Sequence, residues 1–123
     1  MQGRSADYDL SFLKIHEVGS ISFNLSCFNI LSRGSYDPAT HTWPDSSTIS
    51  IECEFELNGA KVDRGALLVL IGQSFEDAWI DLNYELHLRF ASGDELVTIR
   101  NGGGFESYQI EWSLASQKYV AII

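Results

Sequence analysis

Thr48-Ile-Ser-Ile-Glu-Cys-Glu-Phe-Glu-Leu57 is the stretch that decides the fold. From Ile49 onward every second residue is apolar, and the positions between them carry one serine and three glutamates, Glu52, Glu54 and Glu56. Successive side chains of a β-strand point to opposite faces, so this pattern predicts a strand with one apolar face on a core and one row of carboxylates in solvent.

Similar alternation recurs on both sides of this stretch and predicts a mainly β domain. Short turns such as Asn83-Tyr84 and Ser92-Gly-Asp94 join three of the segments, which indicates an antiparallel meander. The pattern slips by one residue near Asn24 to Ser26, where a bulge or tight turn must absorb it. The other predicted strands are Val18–Asn24, Ser26–Ser32, Ser74–Leu82, Glu85–Ala91, Glu95–Arg100, Phe105–Trp112 and Lys118–Ile123.

One short helix is predicted from Arg64 to Ile71. Asp63 can cap its start, and Gly72 can take the left-handed position after its end. Because its residues are apolar on all sides, we expect it to be buried, although a buried strand also fits the pattern. With a loose start over 1–9 and a long loop over 33–47, the 123 residues predict a single-domain antiparallel β sandwich or roll, α+β at the margin.

The composition restricts the classes of partner. The chain carries 17 acidic and 8 basic residues, a formal net charge of −9, which disfavours nucleic acid and anionic membranes and speeds encounter with a cationic partner. The polar start does not resemble a signal peptide, and no apolar run is long enough to span a membrane, so we expect a cytoplasmic protein. In that compartment Cys27 and Cys53 are expected to be buried reduced thiols, with a disulfide or a reactive pair as the alternative.

Several motifs occur together in a fixed order: Ser50-Ile-Glu-Cys-Glu-Phe55, Leu70-Ile-Gly-Gln-Ser74, Leu86-His-Leu-Arg-Phe-Ala-Ser-Gly-Asp-Glu-Leu96 and Phe105-Glu-Ser-Tyr108. In this order they resemble an uncharacterised family of small bacterial β-rich proteins, a domain of unknown function. The resemblance runs from about Phe12 to the C-terminus. It implies a compact single domain and brings no catalytic residues to carry over.

No catalytic, metal or cofactor site is predicted. His16, His41 and His87 lie in no recognisable nucleophile context, and the two cysteines are too far apart in sequence for a zinc motif. The glycine loop at Asn101–Gly104 precedes a predicted strand and lacks a following lysine, which disfavours a phosphate-binding loop.

The carboxylate row of Glu52, Glu54 and Glu56 has two interpretations. It can be a solvated face whose repulsion is relieved by Arg89 and His87 on a neighbouring strand. It can also be an electrostatic template for a basic partner, which the wider excess of ten acidic over three basic residues between Glu52 and Glu95 favours.

Aromatic and acidic residues elsewhere are the other candidates for partner binding. Side chains on the long loop can become interface anchors or can fold back over the sheet edge, and Trp79 can be either an exposed contact or part of a second layer. The candidates beside the carboxylate row are Tyr36, Asp37, His41, Trp43, Trp79 and Asp81.

Together these features predict a non-enzymatic protein-binding module. The sharper hypothesis is an immunity protein of bacteria that occludes a cationic toxin, such as a nuclease. The alternatives are a small-molecule-binding β domain, with its ligand between sheet and helix near Trp79 and Tyr108, and an assembly subunit without an inhibitory role. The oligomeric state is not predicted.

Overall fold

The computed structural model describes residues 9–25, 27–99, 108–114 and 117–122. In this part of the chain, nine strands and two short 3-10 helices form two antiparallel sheets. The strands are β1 Glu17–Phe23, β2 Phe28–Arg33, β3 Ser46–Ile51, β4 Glu54–Leu57, β5 Phe75–Ile80, β6 Leu86–Phe90, β7 Glu95–Ile99, β8 Tyr108–Leu114 and β9 Gln117–Ile122.

The five-stranded sheet has the order β1-β2-β3-β8-β9, and the four-stranded sheet has the order β4-β7-β6-β5. All strand pairs within both sheets are antiparallel. The predicted mainly β fold is therefore confirmed, and the predicted meander is β5, β6 and β7.

The stretch from Thr48 to Leu57, predicted as one strand, belongs to two strands. It contributes β3 to the five-stranded sheet, turns at Glu52 and Cys53, and then contributes β4 to the four-stranded sheet. The alternation survives this turn, because Ile49, Ile51 and Leu57 are all buried in one core. The pattern thus marks the inward side of the chain in both sheets.

A single core fills the space between the sheets. Its largest fully buried side chains include Phe28 and Ile30 from β2, Phe90 from β6 and Tyr108 from β8. Leu10 and Leu13, at the first 3-10 helix (Ser11–Ile15), are also buried in this core.

The hairpin of β1 and β2 explains the slip in the sequence pattern. As predicted, the chain turns here: the backbone N–H of Asn24 donates to the carbonyl of Cys27 at 2.8 Å. A separate irregularity lies between Val18 and Ser20, where the pairing shifts by one residue at Gly19.

The predicted helix forms as a 3-10 helix over Arg64–Leu70. Gly72 adopts a left-handed φ of +85°, as predicted, but the side chain of Asp63 makes no capping hydrogen bond. The expectation that the whole helix is buried is wrong. A 3-10 helix repeats every three residues, so Leu67 and Leu70 are both fully buried in the core, while Leu68 is half exposed.

Two predictions fall outside the described residues. The glycine loop at Asn101–Gly104 lies there, as does the loose start except for Asp9. The predicted strand from Phe105 is described only from Tyr108 onward, where it is β8.

Candidate functional site

The predicted carboxylate row is divided between two kinds of structure. Glu54 and Glu56 point outward from β4, at the edge of the four-stranded sheet, while Glu52 is exposed at the turn between β3 and β4. Lys61 lies against this edge, with its Nζ 3.2 Å from Oε2 of Glu54. Three carboxylates therefore line one side of the molecule, but they do not form one straight row.

The expectation that Arg89 and His87 relieve this row is wrong, because β7 lies between their strand and β4. On β7, the carboxylate of Glu95 lies near both side chains instead. Its Oε2 lies 3.4 Å from Nε of Arg89, and its Oε1 lies 3.6 Å from Nδ1 of His87. The repulsion between Glu54 and Glu56 is left to solvent and to Lys61.

Trp79 lies on the same outer face, on the opposite edge strand β5. Its ring stacks on the imidazole of His87 with the ring centres 4.7 Å apart and the planes 7° apart. The guanidinium carbon of Arg89 lies 5.1 Å from the Trp79 ring centre. Trp79 is thus a half-buried aromatic side chain held in place by His87 and Arg89. We call this outer face of the four-stranded sheet, which carries Glu54, Glu56 and Trp79, the acidic face.

Asp81 is placed differently from the prediction. Asp81 is only 1% exposed, so its carboxylate is not available as a surface contact. One carboxylate oxygen accepts the backbone N–H groups of Asn83 and Glu85 at 2.8 and 3.0 Å, and the other lies 2.8 Å from Nε2 of His87. The carboxylate therefore organises the turn between β5 and β6.

The long loop is an ordered extension of the hairpin of β2 and β3. Asp37 and Thr42 exchange two backbone hydrogen bonds, and Asp37 also accepts the N–H of Ala39 at 2.9 Å. The hydroxyl of Tyr36 lies 3.1 Å from Nδ1 of His41. We call residues 34–45 the loop hairpin.

An aromatic cluster covers the base of the loop hairpin. The rings of Tyr36 and Trp43 are 4.7 Å apart, and the guanidinium carbon of Arg33 lies 4.1 Å from the Trp43 ring centre. Both aromatic side chains remain substantially exposed, at 45% and 40%. The four predicted loop residues Tyr36, Asp37, His41 and Trp43 are therefore brought together.

A groove of about 600 Å3 runs between the loop hairpin and the outer face of the five-stranded sheet. Trp43 and His41 form one wall, and Ser20, Leu31 and Thr48 are among the residues of the sheet face. Sequence reasoning identified the loop but missed the groove, because the contributing strands are adjacent only in the folded sheet.

The structure does not join the two predicted regions into one surface. The loop hairpin precedes Ser46, the first residue of β3, whereas Glu52 follows the last residue of that strand. At about 3.3 Å per strand residue the two regions are on the order of 20 Å apart. Tyr108 is buried in the core whereas the half-buried Trp79 faces outward from β5, so these two side chains do not lie in one pocket.

A buried polar chain was missed by the sequence reasoning. Nδ1 of His16 is 3.1 Å from Oγ of Ser32, and the hydroxyls of Ser32 and Ser47 are hydrogen-bonded to each other. Burial lowers the pKa of His16 below its usual 6.5, and the charge of Asp45 opposes this shift. Both serines occupy inward strand positions, a signal that could have identified them.

Cys27 and Cys53 are free, partly buried thiols. Burial raises the pKa of Cys53, which makes its reactive thiolate form rarer. Within the described ranges, no group of three or more His, Cys, Asp or Glu side chains is arranged to hold a metal ion.

The fold and the site define an antiparallel two-sheet β protein with an acidic sheet face and a separate loop-bounded groove. Comparisons with protein-family models, with curated proteins and with solved structures give no match. The resemblance to a family of unknown function therefore stays a prediction. None of the helices in the described part of the chain has the length and apolar character needed to cross a membrane.

Proposed function

We propose that this protein is a non-enzymatic protein-binding module whose acidic four-stranded sheet receives a basic partner. The observation that carries the proposal is the distribution of charge. The segment from Glu52 to Glu95, with ten acidic and three basic residues, supplies β4, β5 and β6 and reaches the first residue of β7. The acidic excess of the chain is therefore concentrated on one sheet and its connections.

The outer face of this sheet combines steering charges with an anchor. Glu54 and Glu56 lie at one edge and Trp79 at the other, in the register row Glu56, Val97, His87, Trp79. Exposed carboxylates accelerate the encounter with a cationic surface, and a supported aromatic ring slows dissociation. Tyr36 and Trp43 contribute only where a partner also reaches the other sheet.

The sharper form of this proposal is an immunity protein of the bacterial cytoplasm. Its acidic face would cover the cationic groove of a toxin, such as a nuclease, and would exclude the toxin's anionic substrate without any chemistry. An assembly subunit that binds a basic protein without inhibiting it is the alternative within the same class. A toxin gene beside the gene for this chain would favour the first form.

The binding face can be tested with charge reversals and an oligolysine peptide as the probe. We expect Glu54→Lys together with Glu56→Lys to weaken binding by about tenfold and to flatten its salt dependence. The matched control is Glu17→Lys with Glu111→Lys, which changes the net charge equally on the exposed outer face of the five-stranded sheet.

Nuclear magnetic resonance titration locates the peptide on the protein. The proposal predicts that the backbone signals of β4 and β7 shift most, and that only the Glu54 and Glu56 reversals abolish these shifts. Equal weakening by both double variants would indicate a response to net charge alone and would reject the acidic face as a specific site. The immunity role is then tested by expressing the toxin encoded by a neighbouring gene in cells. We expect the wild-type chain to protect the cells and the Glu54 and Glu56 double variant to lose this protection.

A further inference from the structure

The groove beneath the loop hairpin differs in composition from the acidic chain that forms it. Its lining residues include Arg33 and His41 but no aspartate or glutamate, although the chain has 17 acidic residues. We propose that this groove binds a small organic anion whose carboxylate or phosphate group is held by the guanidinium of Arg33. The inference does not rest on the proposed protein-binding function, because the groove lies on the other sheet.

Arg33 is held in place by two contacts. Its guanidinium carbon lies 4.1 Å from the ring centre of Trp43. A β-carbon added at Gly19 would lie 3.4 Å from Nε of Arg33, so the side chain rests closely on this glycine where the strand pairing is irregular. A guanidinium fixed over an aromatic ring loses little further freedom when it binds an oxyanion.

Arg33 also has unused hydrogen-bonding capacity. Glu17 is its register partner on β1, but no carboxylate of the described residues forms an ion pair with Arg33. Each of the other basic side chains that the structure describes contacts an oxygen atom. Lys14, Lys61 and Arg89 lie near the carboxylates of Asp77, Glu54 and Glu95, respectively. Arg64 donates to the backbone carbonyls of Asn24 and Cys27. Arg33 thus differs from them in facing a groove with its planar donors available.

The remaining lining suits the body of a small molecule. Ser20, Ser46 and Thr48 bring hydroxyl groups to the groove, and Leu31 and Trp43 bring apolar surface. A volume of about 600 Å3 falls in the ordinary range of small-molecule sites. Hydroxyls and a guanidinium would bind the anionic head, while the apolar wall would contact an attached organic group.

The indole and guanidinium signals provide a direct test. The intact chain is titrated with inorganic phosphate, acetate and benzoate at constant ionic strength, with chloride as the reference anion. We expect the indole N–H of Trp43 and the Nε–H of Arg33 to shift with phosphate or a carboxylate, and benzoate to bind more tightly than acetate. Phosphate binding without carboxylate binding would assign the groove to phosphate compounds, and the reverse would assign it to carboxylates.

The variants separate a specific site from general attraction. Arg33→Gln should weaken binding by about tenfold, and Arg33→Lys should weaken it less because charge remains while the planar fork is lost. Arg89→Gln is the matched control, since Arg89 also lies over a tryptophan but is paired with Glu95. Shifts no larger than those with chloride, or equal loss in the Arg33→Gln and Arg89→Gln variants, would overturn the proposal.

Discussion

His16 connects the first 3-10 helix to two strands of the five-stranded sheet through the hydroxyls of Ser32 and Ser47. His16 is only 1% exposed, and its Nε2 has no hydrogen-bond partner among the described residues. Phe12 covers one side of the ring in an edge-on contact. A charged imidazole would have to lose its hydration in this position, which explains why the folded state favours the neutral form.

This burial predicts a pH-dependent stability. The pKa of His16 is lowered in the folded state, so the unfolded chain binds the proton more tightly. The stabilising contribution of neutral His16 is therefore complete above pH 6.5 and declines as the pH falls below that value, towards the folded-state pKa. Urea denaturation of the wild type and of His16→Gln at pH 8 and at mildly acidic pH should show this loss in the wild type only.

His41→Gln is the control for that experiment, because His41 is exposed on the loop hairpin. The control should follow the wild type at every pH. If the His16→Gln variant loses as much stability on acidification as the wild type, protonation of His16 does not govern the effect.

At the scale of the element, the predicted helix shows how local pattern and packing differ. The 3-10 helix has seven residues, Arg64 to Leu70, and the segment that follows it is bonded to β1. There the N–H of Gly72 donates to the carbonyl of Val18 at 2.8 Å. The 3-10 form places residues three apart on one side, so Leu67 and Leu70 reach the core together. The run of apolar residues indicated a helix but not which of its sides is buried.

Two adjacent leucines in this helix provide a matched test of packing. Leu67 is fully buried, whereas Leu68 is 51% exposed. Leu67→Ala should lower the free energy of unfolding by about 2 to 5 kcal/mol, because it removes buried methyl groups and leaves a cavity. Leu68→Ala should change it by less than about 0.5 kcal/mol. Chemical denaturation of both variants decides the matter, and similar losses would contradict this orientation of the helix.

The turn at Glu52 and Cys53 was not evident from the alternation. A chain that passes between two sheets can keep the same side towards the core, so the period of two continues through the turn. The change also makes β4 an edge strand, on which outward charges hinder pairing with other molecules. Glu54 and Glu56 thus have a protective role that is compatible with partner binding.

For the whole molecule, the uneven distribution of charge is the dominant electrostatic feature. The formal net charge is −9, and the acidic excess lies in the segment that builds most of the four-stranded sheet. Like charges gathered on one sheet repel each other in the compact state and are further apart in the unfolded chain. The folded state therefore bears most of this repulsion.

Added salt should accordingly stabilise the protein. Raising sodium chloride from low to physiological ionic strength should raise the melting temperature by about 2 to 4 °C, because screening weakens repulsion between exposed carboxylates. Reversal of Glu54 and Glu56 to lysine should reduce this rise more than reversal of Glu17 and Glu111. A melting temperature that falls with salt would mean that favourable ion pairs outweigh the repulsion.

Within β3 and β4 the sequence alone determined which side chains face inward, because alternation in strands is a local property of the backbone. Ile49, Ile51, Phe55 and Leu57 were placed correctly for that reason. The same local patterns predicted the mainly β fold, the meander and the turn at Asn24.

Only the tertiary structure decided how distant residues meet. Asp81 shares the parity of the outward-facing, half-buried Trp79, yet it is buried because its carboxylate accepts hydrogen bonds from the turn that follows β5. Arg33, Trp43 and Gly19 belong to three segments, and only the pairing of β1 with β2 and the folding of the loop hairpin bring them to one groove. Such contacts depend on strand order and on the path of connections, which alternation along the chain does not encode.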